Sequence, residues 1–216
     1  MKFKSLTVQG FKSFVDKTVI EFPGGITCVI GPNGSGKSNI LDAIRWIFGE
    51  QSAKELRGAD MDDVIFAGSQ HRKASGFAEV SLTLSELPEN LTAKWGSFSE
   101  ITVTRKHYRT GERDYLINGK KCRLKDIREI FYDSGLGTKS ISIIEQGKVD
   151  KIIQSTPEDL RSFFEETAGV MRFKEGKKDA ERRLNQTKDN LSRVTDILAE
   201  IRGQLETLTL QAEKVR

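Results

Sequence analysis

Residues 31–39, with the sequence GPNGSGKSN, have the types and spacing best suited to chemistry. They follow the apolar run ITCVI at 26–30 and precede a helical pattern at 40–48. A glycine-rich loop between a strand and a helix directs its backbone amides at an anion, which makes it suited to binding phosphate. In this pattern Lys37 reaches the β- and γ-phosphates, and the Ser38 hydroxyl coordinates Mg²⁺. The sequence therefore predicts a nucleoside triphosphate site; the alternative interpretation is a Gly-Ser loop that only ends the strand.

The overall charge argues against a purely electrostatic nucleic-acid binder but permits contact with DNA. Lysine and arginine number 35, and aspartate and glutamate number 31, which gives a net charge of +4 over 216 residues. This excess of positive charge is mild. The length allows one or two domains and is sufficient for a substantial hydrophobic core.

Cysteine usage and hydropathy indicate a cytoplasmic protein. The two cysteines, Cys28 and Cys122, are too few for a disulfide framework or a four-ligand metal site of their own. Cys28 lies in the apolar run at 26–30 and is predicted to be a small core residue. No apolar stretch approaches the length of a membrane span, and the N-terminal residues lack the apolar block of a secretory signal. We therefore expect a reducing compartment and no membrane partner.

Alternating apolar residues predict an antiparallel sheet beside the phosphate site. The predicted strands are residues 2–8, 18–22, 77–84, 101–108 and 114–118, with a short candidate at 64–66. Asn118-Gly119 is a strong signal for a type I′ hairpin turn. The apolar run at 26–30 is nearly continuous, which is typical of a strand covered on both faces. A helix is predicted over residues 123–132.

From residue 155 onward the sequence is helical in character. Thr156 and Pro157 are suited to the N-cap and the first position of a helix. Beyond residue 173, apolar spacings alternate between four and three for about five heptads, which favours a coiled coil over a helix lying on a globular core. The seam comprises Ala180, Leu184, Thr187, Leu191, Val194, Leu198, Ile201, Leu205, Leu208, Ala212 and Val215. Its partner seam is not evident elsewhere in these 216 residues.

The acid that hydrolysis requires is missing from the pattern. An acidic residue at a strand end normally helps to hold Mg²⁺ and to position the attacking water. No apolar run ending in two acidic residues follows the phosphate loop, and Asp62-Asp63 precede a short strand candidate rather than ending one. The sequence therefore predicts half of a catalytic unit.

Several segments together resemble the N-terminal half of the ATPase head of SMC (structural maintenance of chromosomes) proteins of the bacterial chromosome-condensation type. They are GPNGSGKSNILDAIRWIFGEQSAKELRG at 31–58, GFKSF at 10–14, IFAGS at 65–69, LINGKKCRLKDI at 116–127, DSGLG at 133–137, IIEQGKV at 143–149 and FFEETAGV at 163–170. The resemblance implies an α/β fold, namely a P-loop NTPase head of the ABC type with a mixed sheet and an antiparallel subdomain, followed by a long coiled-coil helix. Residues 1–170 would be half of the head, and residues 171–216 the arm that leaves it.

The resemblance also assigns site residues. ATP would be bound by Pro32, Asn33, Gly34, Ser35, Gly36, Lys37, Ser38 and Asn39. Gln146 matches the family's Q-loop glutamine, which contacts Mg²⁺ together with Ser38, and Arg57 matches an arginine that acts near the phosphates. Lys12 and Ser13 match residues that approach the nucleotide. From the residues alone, the favoured interpretation of Gln146 is an ordinary polar turn residue before Gly147. Arg57 is equally well a solvated loop arginine, and a surface turn remains the alternative for Lys12-Ser13.

DNA contact and protein partners come from the same resemblance. Lys120, Lys121 and Arg123, with Lys125 close by, match a region where DNA lies across paired heads, and a nearby strand adds Arg105, Lys106 and Arg109. Such cations neutralise phosphates without reading bases, so the expected ligand is double-stranded DNA of any sequence; solvated surface charge is the alternative. The implied protein partners are the C-terminal half of the same head, a second SMC subunit in a homodimer, and a kleisin subunit on the coiled coil near residues 180–201.

The function implied by the resemblance is chromosome condensation and segregation by an ATPase of the cytoplasm and nucleoid. ATP would drive two heads together, and hydrolysis would release them, so that the cycle moves or entraps DNA. One alternative is a related coiled-coil ABC ATPase of DNA double-strand-break repair. A transporter ATPase would lack the heptad seam, and a purely structural coiled coil would leave the phosphate loop unexplained.

Overall fold

A computed structural model describes residues 1–87, 98–132, 143–144, 149, 153–168 and 170–214. The chain divides into two compact units, Met1–Gly169 and Val170–Arg216. The assignment of these units as a head half and a coiled-coil arm remains a prediction.

Six antiparallel strands form the sheet of the first unit, in the order β2-β1-β3-β4-β5-β6. They are β1 (Lys2–Gln9), β2 (Thr18–Glu21), β3 (Phe77–Ser85), β4 (Glu100–Tyr108), β5 (Arg113–Ile117) and β6 (Lys120–Lys121). Every second residue of β3 and β4 is buried, as the alternation predicts. Asn118 and Gly119 have φ values of 48° and 76°, which agrees with the predicted type I′ turn between β5 and β6.

The described helices begin close to the positions predicted from sequence. They are α1 (Lys37–Ile47), α2 (Leu124–Tyr132), α3 (Pro157–Thr167) and α4 (Met171–Lys214), with 3-10 turns at Lys54–Leu56 and Met61–Val64. Helix α1 packs against β3 and β4. Its Trp46 lies 5.3 Å, ring to ring, from Phe11, while Phe48 lies 4.4 Å from Phe131 of α2. The core therefore fixes the helix that follows the phosphate loop against the sheet.

The prediction of a covered strand at residues 26–30 is wrong for the described chain. These residues join none of the six strands, and the side chains of Ile26 and Ile30 are 99% and 87% exposed. Cys28 is exposed as well, so it is not a core residue within the described part of the chain. A strand forms only where a neighbour supplies hydrogen bonds, and no described residue supplies them to this segment.

The short strand predicted at 64–66 is replaced by a 3-10 turn and a single bridge. Asp60 and Asp63 form a capping box at the start of Met61–Val64. Ile65 then makes an isolated antiparallel bridge with Phe11. The bridge joins the segment after Arg57 to the turn that follows β1.

Helix α4 of the second unit continues without interruption for 44 residues, or about 66 Å at the rise of an α-helix. Its predicted seam is solvent-exposed in the described chain, including Leu184 at 69% and Leu208 at 64%. The narrow stripe of exposed leucines, isoleucines and valines is the surface that a partner helix of a coiled coil covers. Among the described residues, no helix is both long and apolar enough to cross a membrane.

Candidate nucleotide site

The loop of residues 31–39 has the backbone that a phosphate site requires. Gly34 and Gly36 adopt left-handed conformations, with φ of 81° and 94°. A Cβ atom at Gly36 would also lie 2.7 Å from the Ser13 hydroxyl. Glycine is therefore required at position 36 both by the turn and by the close approach of the residue 12–13 turn.

The N-terminus of α1 is prepared for an anion. Gly36 is the N-cap, it provides no side-chain cap, and the first turn of α1, all of whose residues are described, contains no acidic residue. The first amides of a helix lack intrahelical acceptors and carry partial positive charge, so they are available to a phosphate. The Lys37 ammonium folds back over the loop and donates to the carbonyls of Gly31 and Pro32 at 2.7 and 2.8 Å.

Three predicted site residues are joined to one another beside this loop. The Asn39 side-chain amide donates to the Ser13 hydroxyl at 2.8 Å. The Arg57 guanidinium donates to the Asn39 side-chain oxygen at 3.2 Å. Residues from the turn after β1, from α1 and from the turn after Lys54–Leu56 therefore meet at the start of α1.

Asp42 organises this cluster, and the sequence analysis missed it. Only 3% of the residue is exposed, and its carboxylate accepts from Arg57 Nη2 at 2.5 Å and Nε at 3.2 Å. The Lys12 ammonium donates to the same carboxylate oxygen and to the Leu56 carbonyl. Arg57 has a φ of 57° and Lys12 one of 48°, so both cations project from strained turns toward one buried acid. The sequence did contain an indication of this role, because Asp42 is an acid between apolar residues of α1 and lies one helical turn after Asn39.

A cavity of about 310 Å³ opens beside Ser38. It is lined by Ser38, Leu41, Asp42, Arg45, Glu55, Arg57 and Ile144. The Ser38 hydroxyl is a hard oxygen donor of the kind that Mg²⁺ prefers. Ser38 and the free amides of α1 thus fit a magnesium–triphosphate complex. Gln146, predicted as the second magnesium ligand, lies outside the described residues.

The predicted DNA-contacting residues separate into two groups. Lys120, Lys121 and Arg123 are exposed on β6 and just before α2. The Lys121 ammonium lies 2.8 Å from the Asp114 carboxylate, and this hydrogen bond raises the pKa of Lys121 and lowers that of Asp114. The placement of Arg105 in a surface patch is wrong, because its side chain points into the core and only 2% of the residue is exposed.

The other two cations of that predicted patch are held by local partners. Lys106 pairs with Glu79 on the neighbouring strand at 2.7 Å, and the hydrogen bond from Lys106 raises the pKa of its ammonium. Arg109 donates to the carbonyls of Ser75 and Phe66 at 2.7 and 3.0 Å. The exposed cations that remain candidates for a phosphate backbone are therefore those around β6.

Comparison with known proteins agrees with this geometry. Residues 2–208 match the family model RecF/RecN/SMC N terminal domain. The chromosome partition protein Smc of Bacillus subtilis (strain 168) is 55% identical over 212 residues, which cover 98% of this chain and 18% of that relative. The chain thus spans under a fifth of the length of the curated relative.

Solved structures of SMC heads are also similar to this chain. The Smc head domain derived from Pyrococcus furiosus, with an extended coiled coil and bound to the C-terminal domain of ScpA, has a TM-score of 0.70 and 32% identity, covering 92% of this chain and 49% of that one. A structure from work on ATP-driven dimerization and DNA-stimulated activation of SMC ATPases has a TM-score of 0.66 and 30% identity, covering 77% of this chain and 99% of that one. The matched residues include the phosphate loop, the antiparallel sheet and most of the long helix. The chain belongs to the RecF/RecN/SMC N-terminal domain family and has the α/β fold of an SMC head.

Proposed function

We propose that this chain is the ATP-binding half of an SMC ATPase head, and that the whole protein condenses and segregates chromosomes in the cytoplasm, at the nucleoid. The observation that carries the proposal is the phosphate loop with its uncapped α1 N-terminus, where Asn39 contacts Ser13 and Arg57. Lys12 joins the same cluster through Asp42 of α1. The name of the Bacillus subtilis relative supports chromosome partition over the repair of double-strand breaks.

Each residue of the proposed site has its own role at the nucleotide. The amides of the loop and the start of α1 hold the β- and γ-phosphates, and Lys37 leaves its two loop carbonyls to neutralise them. Ser38, together with Gln146 from outside the described residues, would hold Mg²⁺, which would supply charge neutralisation between the phosphates. Arg57, anchored by Asp42, is placed to stabilise the charge that develops on the γ-phosphate.

The exposed segment at 26–30 supports the proposal that this is one half of a head. Ile26 and Ile30 are almost fully exposed, which is costly for isoleucine in water. A strand from the C-terminal half of the same protein would pair with this segment, cover both faces and bring the acid that activates water. The nucleotide site would then be completed by that half.

Cys28 provides a test of this completion. In the full-length protein we expect N-ethylmaleimide to label Cys28 far more slowly than in the unfolded protein, because the added strand covers it. Labelling of Cys28 followed by peptide mass spectrometry measures this, and rapid labelling in the folded full-length protein would contradict the proposal. Cys122 is an internal reference, since burial, and to a lesser extent Asp126, raises its pKa to about 11 and keeps it a poorly reactive thiol at pH 8.

Further partners follow from the same assignment. A second copy of the protein would supply its signature loop to the bound ATP, so that nucleotide drives the two heads together. The exposed seam of α4 would pair with the returning helix of the coiled coil, and a kleisin would bind it near residues 180–201. The ScpA-bound head from Pyrococcus furiosus supports the kleisin. Lys120, Lys121 and Arg123 would contact double-stranded DNA across the paired heads.

Lys37→Ala in the full-length protein tests the assignment. We expect ATP binding to be lost, because the substitution removes the only side-chain cation that the loop itself carries. Equilibrium binding of a fluorescent ATP analogue measures this, with Lys188→Ala, which changes an exposed lysine of α4, as the control. Unchanged ATP affinity in Lys37→Ala would overturn the proposed function.

A further inference from the structure

Two arginines from outside α1 hold its C-terminal end. The Arg105 guanidinium, from β4, donates to the carbonyls of Trp46 and Glu50, both at 2.7 Å. The Arg128 guanidinium, from α2, donates to the Gly49 carbonyl through Nη2 at 2.7 Å and Nε at 3.2 Å. The last carbonyls of a helix lack intrahelical donors and carry partial negative charge, so these cations complement them.

Burial of the Arg105 guanidinium costs desolvation free energy. Burial lowers its pKa to about 10, so it remains protonated at neutral pH. Its guanidinium is stacked 4.5 Å from the Trp46 ring and 5.7 Å from the Tyr115 ring, besides its two carbonyl partners. An apolar side chain of similar volume fills such a space without the desolvation of a charge. A buried guanidinium that binds two main-chain carbonyls fixes where the helix end lies, which an apolar side chain does not do.

Gly49 leaves the space that the Arg128 side chain occupies. Gly49 has a φ of 101°, and a Cβ atom there would lie 2.7 Å from Cγ and 2.9 Å from Nε of Arg128. Residue 49 is buried. Only glycine combines this backbone conformation with the approach of a guanidinium to its own carbonyl.

Hydrogen-bonded elements connect these arginines to the exposed cations around β6. The Arg123 amide donates to the Asp126 carboxylate at 2.8 Å, which fixes Arg123 to the first turn of α2, the helix of Arg128. Arg105 is paired across strands with Tyr115, and the next residue, Leu116, is paired with Lys121 of β6. Each arginine therefore has a short path through hydrogen-bonded elements to the proposed DNA contact.

Helix α1 completes the path to the nucleotide. Its 11 residues, Lys37–Ile47, extend about 16 Å from the phosphate loop to the end that the two arginines hold. A helix packed against a sheet moves as a rigid body, so a displacement at its C-terminal end is transmitted to Lys37 and Ser38.

We propose that Arg105 and Arg128 are positioning residues that couple double-stranded DNA bound at Lys120, Lys121 and Arg123 to the phosphate loop, through their hold on the C-terminal end of α1. This inference rests on the proposed function. DNA that binds these cations shifts β6 and the start of α2, and the two guanidinium groups carry the shift to α1.

The test compares ATP hydrolysis by the full-length protein with and without linear double-stranded DNA. For Arg128→Gln we expect basal hydrolysis and DNA affinity to be retained, while the stimulation by DNA falls by about fivefold. Arg128→Lys keeps a cation at the Gly49 carbonyl and should restore most of the stimulation. Arg72→Gln, which removes an exposed arginine paired with Asp16, is the matched control and should respond to DNA like the wild type.

The possible results are distinguishable. A wild-type protein whose hydrolysis does not respond to DNA overturns the proposed DNA contact and this inference with it. A responsive wild type together with an equally responsive Arg128→Gln overturns the inference alone. If Arg128→Gln loses basal and stimulated hydrolysis in equal proportion, Arg128 is structural and the coupling is likewise refuted. Arg105→Lys, measured in the same way, should show the same selective loss, because an ammonium lacks the planar guanidinium that stacks 4.5 Å from the Trp46 ring.

Discussion

Replacing Asp42 with alanine is expected to lower the stability of the head by about 3 kcal/mol, because the substitution leaves the largely buried Lys12 ammonium without its carboxylate. Among the described residues, the Lys12 ammonium would retain only the Leu56 carbonyl as a partner. The Arg57 guanidinium would retain only the Asn39 side chain within the same described part of the chain. In calorimetry of the full-length protein, the transition of the head should fall by about 6–12 °C.

The same substitution should reduce ATP hydrolysis by about tenfold to a hundredfold, because small displacements of a catalytic group are costly. Arg57 is the residue displaced, since Asp42 holds both of its donating nitrogens. Asp16→Ala is the control, because it removes an exposed carboxylate that pairs with Arg72 and should change stability by at most about 1 kcal/mol. Hydrolysis at the wild-type rate in Asp42→Ala would refute the anchoring role of this acid.

The sequence predicted the features that depend on local pattern. The period of two along β3 and β4 and the Asn118-Gly119 turn are properties of neighbouring residues, and the structure agrees with both. The phosphate loop was equally readable, because its glycines, lysine and serine act within nine consecutive positions. Long helix α4 follows from its uninterrupted heptads.

What failed depended on partners that are distant in sequence. The run at 26–30 resembles a covered strand, but whether it is covered depends on a neighbour that the described residues do not contain. Arg105 was assigned to the surface by its charge, although its position matches the phase of buried Ile101 and Val103 on β4. That phase was the better guide, since side chains on a strand alternate between faces regardless of charge. Asp42 was missed for a related reason, because its partners Lys12 and Arg57 come from two separate turns.

Replacing Gly10 with alanine, which adds a single methyl group, should strongly destabilise the head. Gly10 begins the turn after β1 that carries Lys12, is buried, and has a φ of 61°. A Cβ atom at Gly10 would lie 2.1 Å from the Phe77 carbonyl oxygen, which belongs to the backbone of β3 and cannot rotate away. Gly10→Ala therefore combines an unfavourable backbone conformation with a steric overlap, and we expect a loss of about 3–5 kcal/mol in the free energy of unfolding of the head.

The substitution should also weaken ATP binding, because the turn that Gly10 begins carries Lys12 and Ser13. The Gly10 carbonyl accepts from the Phe66 amide at 2.8 Å, so a shift of this turn also moves the segment that follows Arg57. Gly111→Ala is the matched control: Gly111 has a φ of 87° with open space around its Cβ position, so it bears only the backbone cost of about 1–2 kcal/mol. Calorimetry and ATP titration of the two full-length variants separate the cost of the backbone conformation from the cost of the steric overlap with Phe77. If Gly10→Ala were no less stable than Gly111→Ala, the close approach of β3 to this turn would not be a constraint on the site.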